Sequence, residues 1–188
     1  MSMAGAQTLT AETLMELPDD GIERDIIRGE LKERPMTRRN VDHSGVEAAI
    51  GALLWNWLQT RPAPHGRIHS GEAGFRLRRD PETFVGIDVA YVSAAMVAGR
   101  DPAQKFYDGP PILAVEILSP SDQHEDVVSK VKLYHEVGTI VWVVDPDFRT
   151  VAVHRPGQPV VVFNDQQDLL GDPELPGFRV RVARLFEA

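Results

Sequence analysis

The 188-residue chain lacks cysteine, long apolar runs and an excess of positive charge, and each absence excludes a class of protein. Without cysteine there is no disulfide framework and no thiolate metal site, which suits a cytoplasmic protein. No apolar run approaches the roughly 20 residues of a membrane-spanning helix. Residues 1–10 also lack the basic and apolar segments of a signal peptide. We therefore expect a cytoplasmic protein with no membrane partner.

The net charge of −8 opposes the simplest view of the chain as a nucleic-acid binder. Phosphate backbones are bound by lysine and arginine side chains, which displace counterions. A nuclease needs only a local basic surface, however, and acidic metal ligands add negative charge of their own. The composition, 43% hydrophobic and 26% charged, is that of an ordinary globular protein. The length predicts a single domain over residues 1–188.

Short apolar segments that alternate with amphipathic helices predict an α/β fold with a mixed central β-sheet flanked by helices. Strands are expected at 24–28, 30–36, 67–78, 86–93, 112–118, 139–144, 150–154 and 160–163. Helices are expected at 10–17, 40–60 and 123–137, and a closing segment at 177–186. Ser121 or Asp122 is the expected cap of the last helix. The N-terminal helix and hairpin and the C-terminal strands are predicted additions to this central sheet and its flanking helices.

Two predicted strands each contain one carboxylate in an otherwise apolar run. Asp88 lies within Ile-Asp-Val-Ala-Tyr-Val, and Glu116 lies within Ala-Val-Glu-Ile-Leu. A buried carboxylate is costly unless it gains a partner, a proton or a metal ion. On neighbouring strands the pair would offer oxygen ligands to Mg²⁺ or Mn²⁺. The alternative is that one caps a loop while the other pairs with a buried arginine.

Lys130 supplies a third element of this predicted site. At about 100° per residue it falls beside the apolar stripe of its helix, near Leu133, so it should point along the sheet. Lys132 lies on the other flank, where water is expected. The alternative for Lys130 is a surface lysine whose stem covers apolar residues.

Three further polar residues are candidates for the same cleft. Glu30 follows Gly29 in the predicted hairpin and is either an additional acidic group at the metal or an exposed hairpin residue. His43 and Glu47 are four residues apart and therefore share a helix face. They either address the cleft or form a polar flank of the helix.

The arrangement of these motifs resembles a large bacterial family of predicted endonucleases, long catalogued as a domain of unknown function. The resemblance rests on Asp88, Ala-Val-Glu-Ile-Leu-Ser-Pro-Ser-Asp at 114–122, Lys130 to Tyr134, Gly138 and Trp-Val-Val-Asp-Pro at 142–146. It extends to Glu-Leu-Pro-Asp-Asp-Gly at 16–21, Gly-Glu-Leu at 29–31 and Leu-Pro-Gly-Phe at 175–178. That family is assigned to the PD-(D/E)XK restriction-endonuclease-like superfamily.

The resemblance implies the fold, the chemistry and the roles of the site residues. Asp88 and Glu116 would be the metal ligands. Lys130 would replace the lysine that the superfamily places where this chain has Leu118. Tyr134 matches the family and is expected to pack beside Lys130. The chain departs from the family at Ile87, where proline is usual, and in a turn at 138–142 that is one residue shorter.

The sequence thus predicts a Mg²⁺- or Mn²⁺-dependent endonuclease that cleaves DNA, with Asp88, Glu116 and Lys130 as catalytic residues. One rival is a degenerate nuclease-fold protein that binds nucleic acid or a partner protein without cutting. A second is an interaction protein that uses Trp55 and Trp57 as an exposed apolar patch. A homodimer is compatible with cleavage of both strands of a duplex.

Overall fold

A computed structural model describes residues 9–18, 20–35, 40–120 and 122–187. Its first half contains α1 (Ala11–Leu14), β1 (Ile22–Ile27), β2 (Glu30–Pro35), α2 (Val41–Gln59), β3 (Arg67–Arg79), β4 (Glu82–Val92) and α3 (Ala94–Gly99). Its second half contains β5 (Tyr107–Asp108), β6 (Leu113–Ile117), α4 (His124–Glu136), β7 (Ile140–Asp145), β8 (Thr150–His154), β9 (Val161–Asn164), β10 (Asp168–Leu170), β11 (Arg179–Arg181) and a final 3-10 helix (Val182–Leu185). The predicted α/β class is confirmed.

Nine strands of the described chain form one mixed sheet. Its main order is β2-β1-β4-β6-β7-β8-β9, while β3 pairs with β4 and β5 pairs with β3. β6 and β7 are parallel, so the chain between them crosses a face of the sheet, and α4 lies on that crossing. The predicted hairpins β1–β2 and β8–β9 are both antiparallel pairs. The largest shift from the predicted bounds is at β4, which begins at Glu82.

Both faces of the central strands are buried, which explains why their sequences are nearly continuous apolar runs. On one face Ile50 and Leu54 of α2 pack against Val115 and Trp142. On the other face Leu133 of α4 belongs to a second cluster, with the strand residues Ala114 and Val141. Successive side chains of a strand point to opposite faces, so Glu116 lies on the α4 face. No helix in the described ranges is long and apolar enough to cross a membrane.

The C-terminal segment covers the end of α2 and determines which of the two tryptophans there is buried. The antiparallel pair β10–β11 brings Phe178 against Trp57, whose indole N–H donates to the Pro176 carbonyl at 3.1 Å. Trp57 is therefore buried, and the predicted patch of two exposed tryptophans is wrong. Only Trp55 of the two is exposed, at 53%.

The N-terminus of α4 also differs from the prediction. Gln123 is the N-cap residue and makes no side-chain capping hydrogen bond. The Asp122 carboxylate instead accepts from the Ser119 amide at 2.7 Å, which closes the turn after β6. The prediction that Asp122 caps the helix is wrong, and Ser121 lies outside the described residues.

Candidate active site

β1 and β6 pair with the same edge of β4 and separate near the middle of that strand. β1 meets β4 at Ile26–Phe84, whereas β6 pairs with it from Val89–Val115 onward. β3 runs along the opposite edge of β4. Between the two contacts, the edge of β4 faces a gap in the sheet, which we call the strand gap (residues 85–88 of β4 with the facing parts of β1 and β6).

Two buried carboxylates bind backbone amides at the strand gap. Asp25 Oδ1 accepts from the Gly86 amide at 3.0 Å, and Asp88 Oδ2 accepts from the Ile117 amide at 2.8 Å. These side chains satisfy N–H groups that would otherwise be left unpaired where the ladder opens. The gap thus holds two carboxyl groups in a part of the sheet that water barely reaches.

Glu116 lies across from Asp88, one residue beyond the Val89–Val115 pair, and is bound by two side chains of α4. Lys130 Nζ donates to Glu116 Oε2 at 2.9 Å, and the Tyr134 hydroxyl donates to Oε1 at 2.5 Å. Residues 130 and 134 are one helical turn apart, so both reach the same point on the sheet. Lys132 is exposed, as predicted.

The pKa shifts in this group follow from burial and mutual charge. Burial raises the pKa of the Glu116 carboxyl, Lys130 lowers it, and Asp88 raises it again, with a net rise. Burial lowers the pKa of Lys130, but Glu116 and then Asp25 outweigh burial, so the ammonium remains charged. Burial and the Glu116 charge raise the pKa of Tyr134, so its hydroxyl stays a proton donor. Such strongly perturbed groups in a cleft are typical of functional sites.

His43 and Glu47 approach Asp88 from the first turns of α2. Asn40 caps this helix through the amide of His43 at 2.7 Å, which fixes the start of the helix at the sheet. His43 Nε2 lies 3.5 Å from Asp88 Oδ1, and His43 Nδ1 lies 3.9 Å from Glu47 Oε2. Glu47 also accepts from the Gly71 amide of β3 at 2.6 Å. One ligand atom from each of His43, Glu47 and Asp88 lies within 4.8 Å of the other two.

Glu30 is placed differently from the other candidates. It is an exposed residue of β2 and pairs with Lys32 at 3.0 Å. Among the described residues, the structure joins His43, Glu47 and Asp88 in one group and Glu116, Lys130 and Tyr134 in the other, without Glu30.

Sequence reasoning missed Asp25 and Glu72. Asp25 is a buried carboxylate in β1, but Glu23 and Arg24 precede it, so it lacks the apolar flanks that mark Asp88. Glu72 has no such signal, because it lies in an irregular part of β3 with a positive φ of 57°. Its carboxylate lies over Gly86, where an added Cβ would be 2.4 Å from Glu72 Oε2. Gly86 therefore makes room for Glu72, which, like Asp25, raises the pKa of Lys130.

The donor set fits a divalent cation. Carboxylate oxygens from Asp88 and Glu47 are hard ligands of the kind that Mg²⁺ and Mn²⁺ prefer, and His43 adds an imidazole nitrogen. Imidazole suits transition metals better than Mg²⁺, so the set favours Mn²⁺ over Mg²⁺. Glu116 lies across from Asp88 as a source of a further oxygen. The arrangement thus offers three donors that could hold a cation, with the Glu116–Lys130 pair on the strand across from Asp88.

Comparison with known proteins agrees with this architecture. The family model Uma2, described as "Putative restriction endonuclease", matches residues 11–183. The crystal structure of a "putative nuclease belonging to DUF820" from Anabaena variabilis is similar, with a TM-score of 0.76 and 20% sequence identity. That similarity covers 95% of this chain and 97% of the other. A comparison with curated proteins gave no match. The fold is restriction-endonuclease-like.

Proposed function

The chain belongs to the Uma2 family, and from that premise and the geometry of the strand gap we propose that it is a metal-dependent endonuclease that hydrolyses phosphodiester bonds in DNA. The observation that carries the proposal is the buried Glu116 carboxylate, bound by Lys130 and lying across from Asp88. A buried ion pair contributes little net stability, because the cost of removing both charges from water offsets most of their attraction. Its position at a break in the sheet supports a role in chemistry.

The metal would be held by Asp88, with Glu116 on one side and His43 and Glu47 on the other. When bound, Mn²⁺ or Mg²⁺ supplies Lewis acidity, lowers the pKa of a water and neutralises phosphate charge. Asp25 and Glu72 lie outside these ligand positions. They act through charge, since both favour the protonated form of Lys130.

Lys130 would stabilise the negative charge that develops on the phosphate during cleavage. Its ammonium is held 2.9 Å from Glu116, so little reorganisation is required when a substrate arrives. Tyr134 donates to the other oxygen of Glu116 and thereby restricts the orientation of the carboxylate. Tyr134 is therefore a positioning residue in this proposal, while Asp88, Glu116 and Lys130 are the catalytic residues.

The second candidate function is binding of nucleic acid or a partner protein without cleavage. The observation that favours it is the net charge of −8, which weakens binding to phosphate backbones. The two candidates differ in one respect that can be measured directly, because only the endonuclease changes the length of its nucleic acid.

A homodimer belongs to the same proposal, since two symmetric sites can cut both strands of a duplex. β9 is the last strand in the main order of the sheet. Val161 and Val162 of β9 and the preceding Val160 are exposed. No charged residue occurs from 158 to 164, although charges usually protect such edges. Antiparallel pairing of β9 with a second copy would cover it. Val161→Lys should convert the dimer to a monomer in light scattering; a wild type that is monomeric at high concentration contradicts this part.

The test of catalysis is incubation of supercoiled plasmid DNA with the protein and millimolar Mn²⁺ or Mg²⁺. Nicked and linear products separate single-strand from double-strand cleavage. Asp88→Asn and Lys130→Met should lower the rate by about 10²–10³-fold, the usual effect of removing one preorganised electrostatic group. Lys132→Met is the matched control, because it makes the same change on the exposed side of the same helix and should leave the rate unaltered.

Cleavage by Asp88→Asn at the wild-type rate would refute the assignment. If the wild type binds a duplex but cuts no DNA, single-stranded or double-stranded, the non-cleaving alternative is correct. If the protein cleaves structured RNA but no DNA, the proposed catalytic site stands and the substrate is RNA.

A further inference from the structure

Carboxylates engage most arginines of this acidic chain. Acidic residues outnumber basic ones by 28 to 20. Ion pairs to aspartate or glutamate are made by Arg24, Arg28, Arg34, Arg76, Arg78, Arg79, Arg149, Arg155, Arg179, Arg181 and Arg184. In the described ranges, the arginines without a carboxylate partner are Arg61, Arg67 and Arg100. Arg61 donates to the Pro176 carbonyl at 2.9 Å, and Arg100 donates to the Gln104 carbonyl.

Arg100 and His69 contact the Tyr107 side chain, and Arg67 lies on the same strand as His69. Arg67 and His69 are alternate residues of β3 and therefore lie on the same face of the sheet. His69 Nε2 lies 3.0 Å from the Tyr107 hydroxyl, and the Arg100 guanidinium lies 5.7 Å from the centre of the Tyr107 ring. Burial lowers the pKa of His69, and the positive charges of Arg67 and Arg100 lower it further. We call these three residues the β3 arginine patch.

Two members of the β3 arginine patch, Arg67 and His69, lie on β3, which pairs with the Asp88 strand β4, and Arg100 follows α3. His69 pairs with Ala90, and Arg67 pairs with Val92. At about 3.3 Å per residue, His69 is about 7 Å and Arg67 about 13 Å from Asp88 along β4. One DNA strand advances about 3.4 Å per nucleotide along the helix axis, so both residues lie within a few nucleotides' length of Asp88. The next part of β3, Gly71, is the segment that Glu47 binds.

We propose that Arg67, Arg100 and His69 bind backbone phosphates of the nucleic-acid strand within a few nucleotides of the bond that is cut. This inference rests on the proposed function and specifies where an acidic protein holds its polyanionic substrate. Arginines that lack a carboxylate partner need no internal ion pair to break before they contact phosphate. His69 and the Tyr107 hydroxyl, which lie 3.0 Å apart, add hydrogen-bonding groups beside Arg100.

The test measures binding without catalysis. Asp88→Asn protein in EDTA is titrated into a fluorescein-labelled duplex of about 20 base pairs, and anisotropy is recorded between about 50 and 200 mM NaCl. Arg67→Gln and Arg100→Gln should each weaken binding and lower the slope of log K against log salt by about 0.9, the value for one lost phosphate contact. Arg179→Gln is the control, since it removes an exposed arginine from β11, which packs on the α2 face.

An unchanged salt slope in the Arg67→Gln/Arg100→Gln double variant would overturn the proposal, as would an equal decrease in Arg179→Gln. Calorimetric titration with inorganic phosphate distinguishes the other source of the same anion. If phosphate alone binds and the duplex does not, the patch is a small-anion site and the proposal is wrong. Because binding is measured without metal and without cleavage, failure of the endonuclease proposal would leave this result interpretable. Cleavage by a protein with an unaltered salt slope would refute only the patch.

Discussion

Replacement of Lys130 by methionine should destabilise the protein by about 3 kcal/mol at neutral pH, because it leaves the Glu116 carboxylate buried without its cation. Both side chains are well shielded, with 16% of Lys130 and 13% of Glu116 exposed. Loss of one member of a buried pair typically costs about 3–5 kcal/mol. Tyr134 still donates to Glu116 in the variant, so the lower end of that range applies. Methionine retains most of the apolar stem and its packing.

The stability lost in Lys130→Met should depend on pH, and the direction of that dependence follows from the pKa of Glu116. Burial raises the pKa of this carboxyl, while Lys130 lowers it and Asp88 raises it. Without Lys130 the folded-state pKa rises further above the ordinary value of 4.5. The folded variant then binds a proton more readily than the unfolded chain, so its stability falls as pH increases from 4.5 through the folded-state pKa. Below 4.5 the carboxyl is neutral in both states and the penalty disappears.

Urea unfolding of wild type, Lys130→Met and Lys132→Met at about pH 4 and about pH 7 measures this difference. The difference between wild type and Lys130→Met should grow with pH, whereas Lys132→Met should follow the wild type at both. An equal loss at the two pH values would show that the effect is packing and not charge. An equal loss in Lys132→Met would refute the burial of the Lys130–Glu116 pair.

Further predictions concern the other parts of the site. Free Mn²⁺ at ten times its Kd should stabilise the wild type by about 1.4 kcal/mol through mass action; a thermal shift as large in Asp88→Asn would refute the metal site. Gly86→Ala should lower the free energy of unfolding by about 1 kcal/mol, because the added Cβ crowds Glu72. Gly51→Ala in α2 is the control: its added Cβ meets nothing within 4 Å, so the change should be neutral or stabilising by up to about 1 kcal/mol. Urea unfolding of Gly86→Ala and Gly51→Ala measures the difference, and an equal change in stability in the two variants contradicts the steric argument. Tyr134→Phe should cost about 2 kcal/mol through loss of a hydrogen bond to a charged group; unchanged stability would mean that the Glu116–Tyr134 bond is not formed.

The elements of the fold could largely be predicted from the sequence, because apolar spacing reports directly on helix and strand geometry. The strand that carries Glu116 and the long helix α2 lie close to their predicted bounds, whereas the Asp88 strand begins at Glu82, earlier than predicted. The errors lie where a tertiary contact overrides a local preference. Trp57 is buried because a segment about 120 residues later packs on it, and Asp122 turns back to Ser119 instead of capping α4.

The sequence alone determined which residues carry charge inside apolar segments, since Asp88 and Glu116 interrupt runs whose burial the composition already requires. It also determined that Lys130 and Tyr134 share a helix face, because that relation depends only on helical periodicity. The tertiary structure decided which of these groups meet. The approach of His43 to Asp88, the position of Glu72 over Gly86 and the grouping of Arg67 with Arg100 join elements that are distant in the chain. Sheet order and helix docking set such contacts, and no local pattern encodes them.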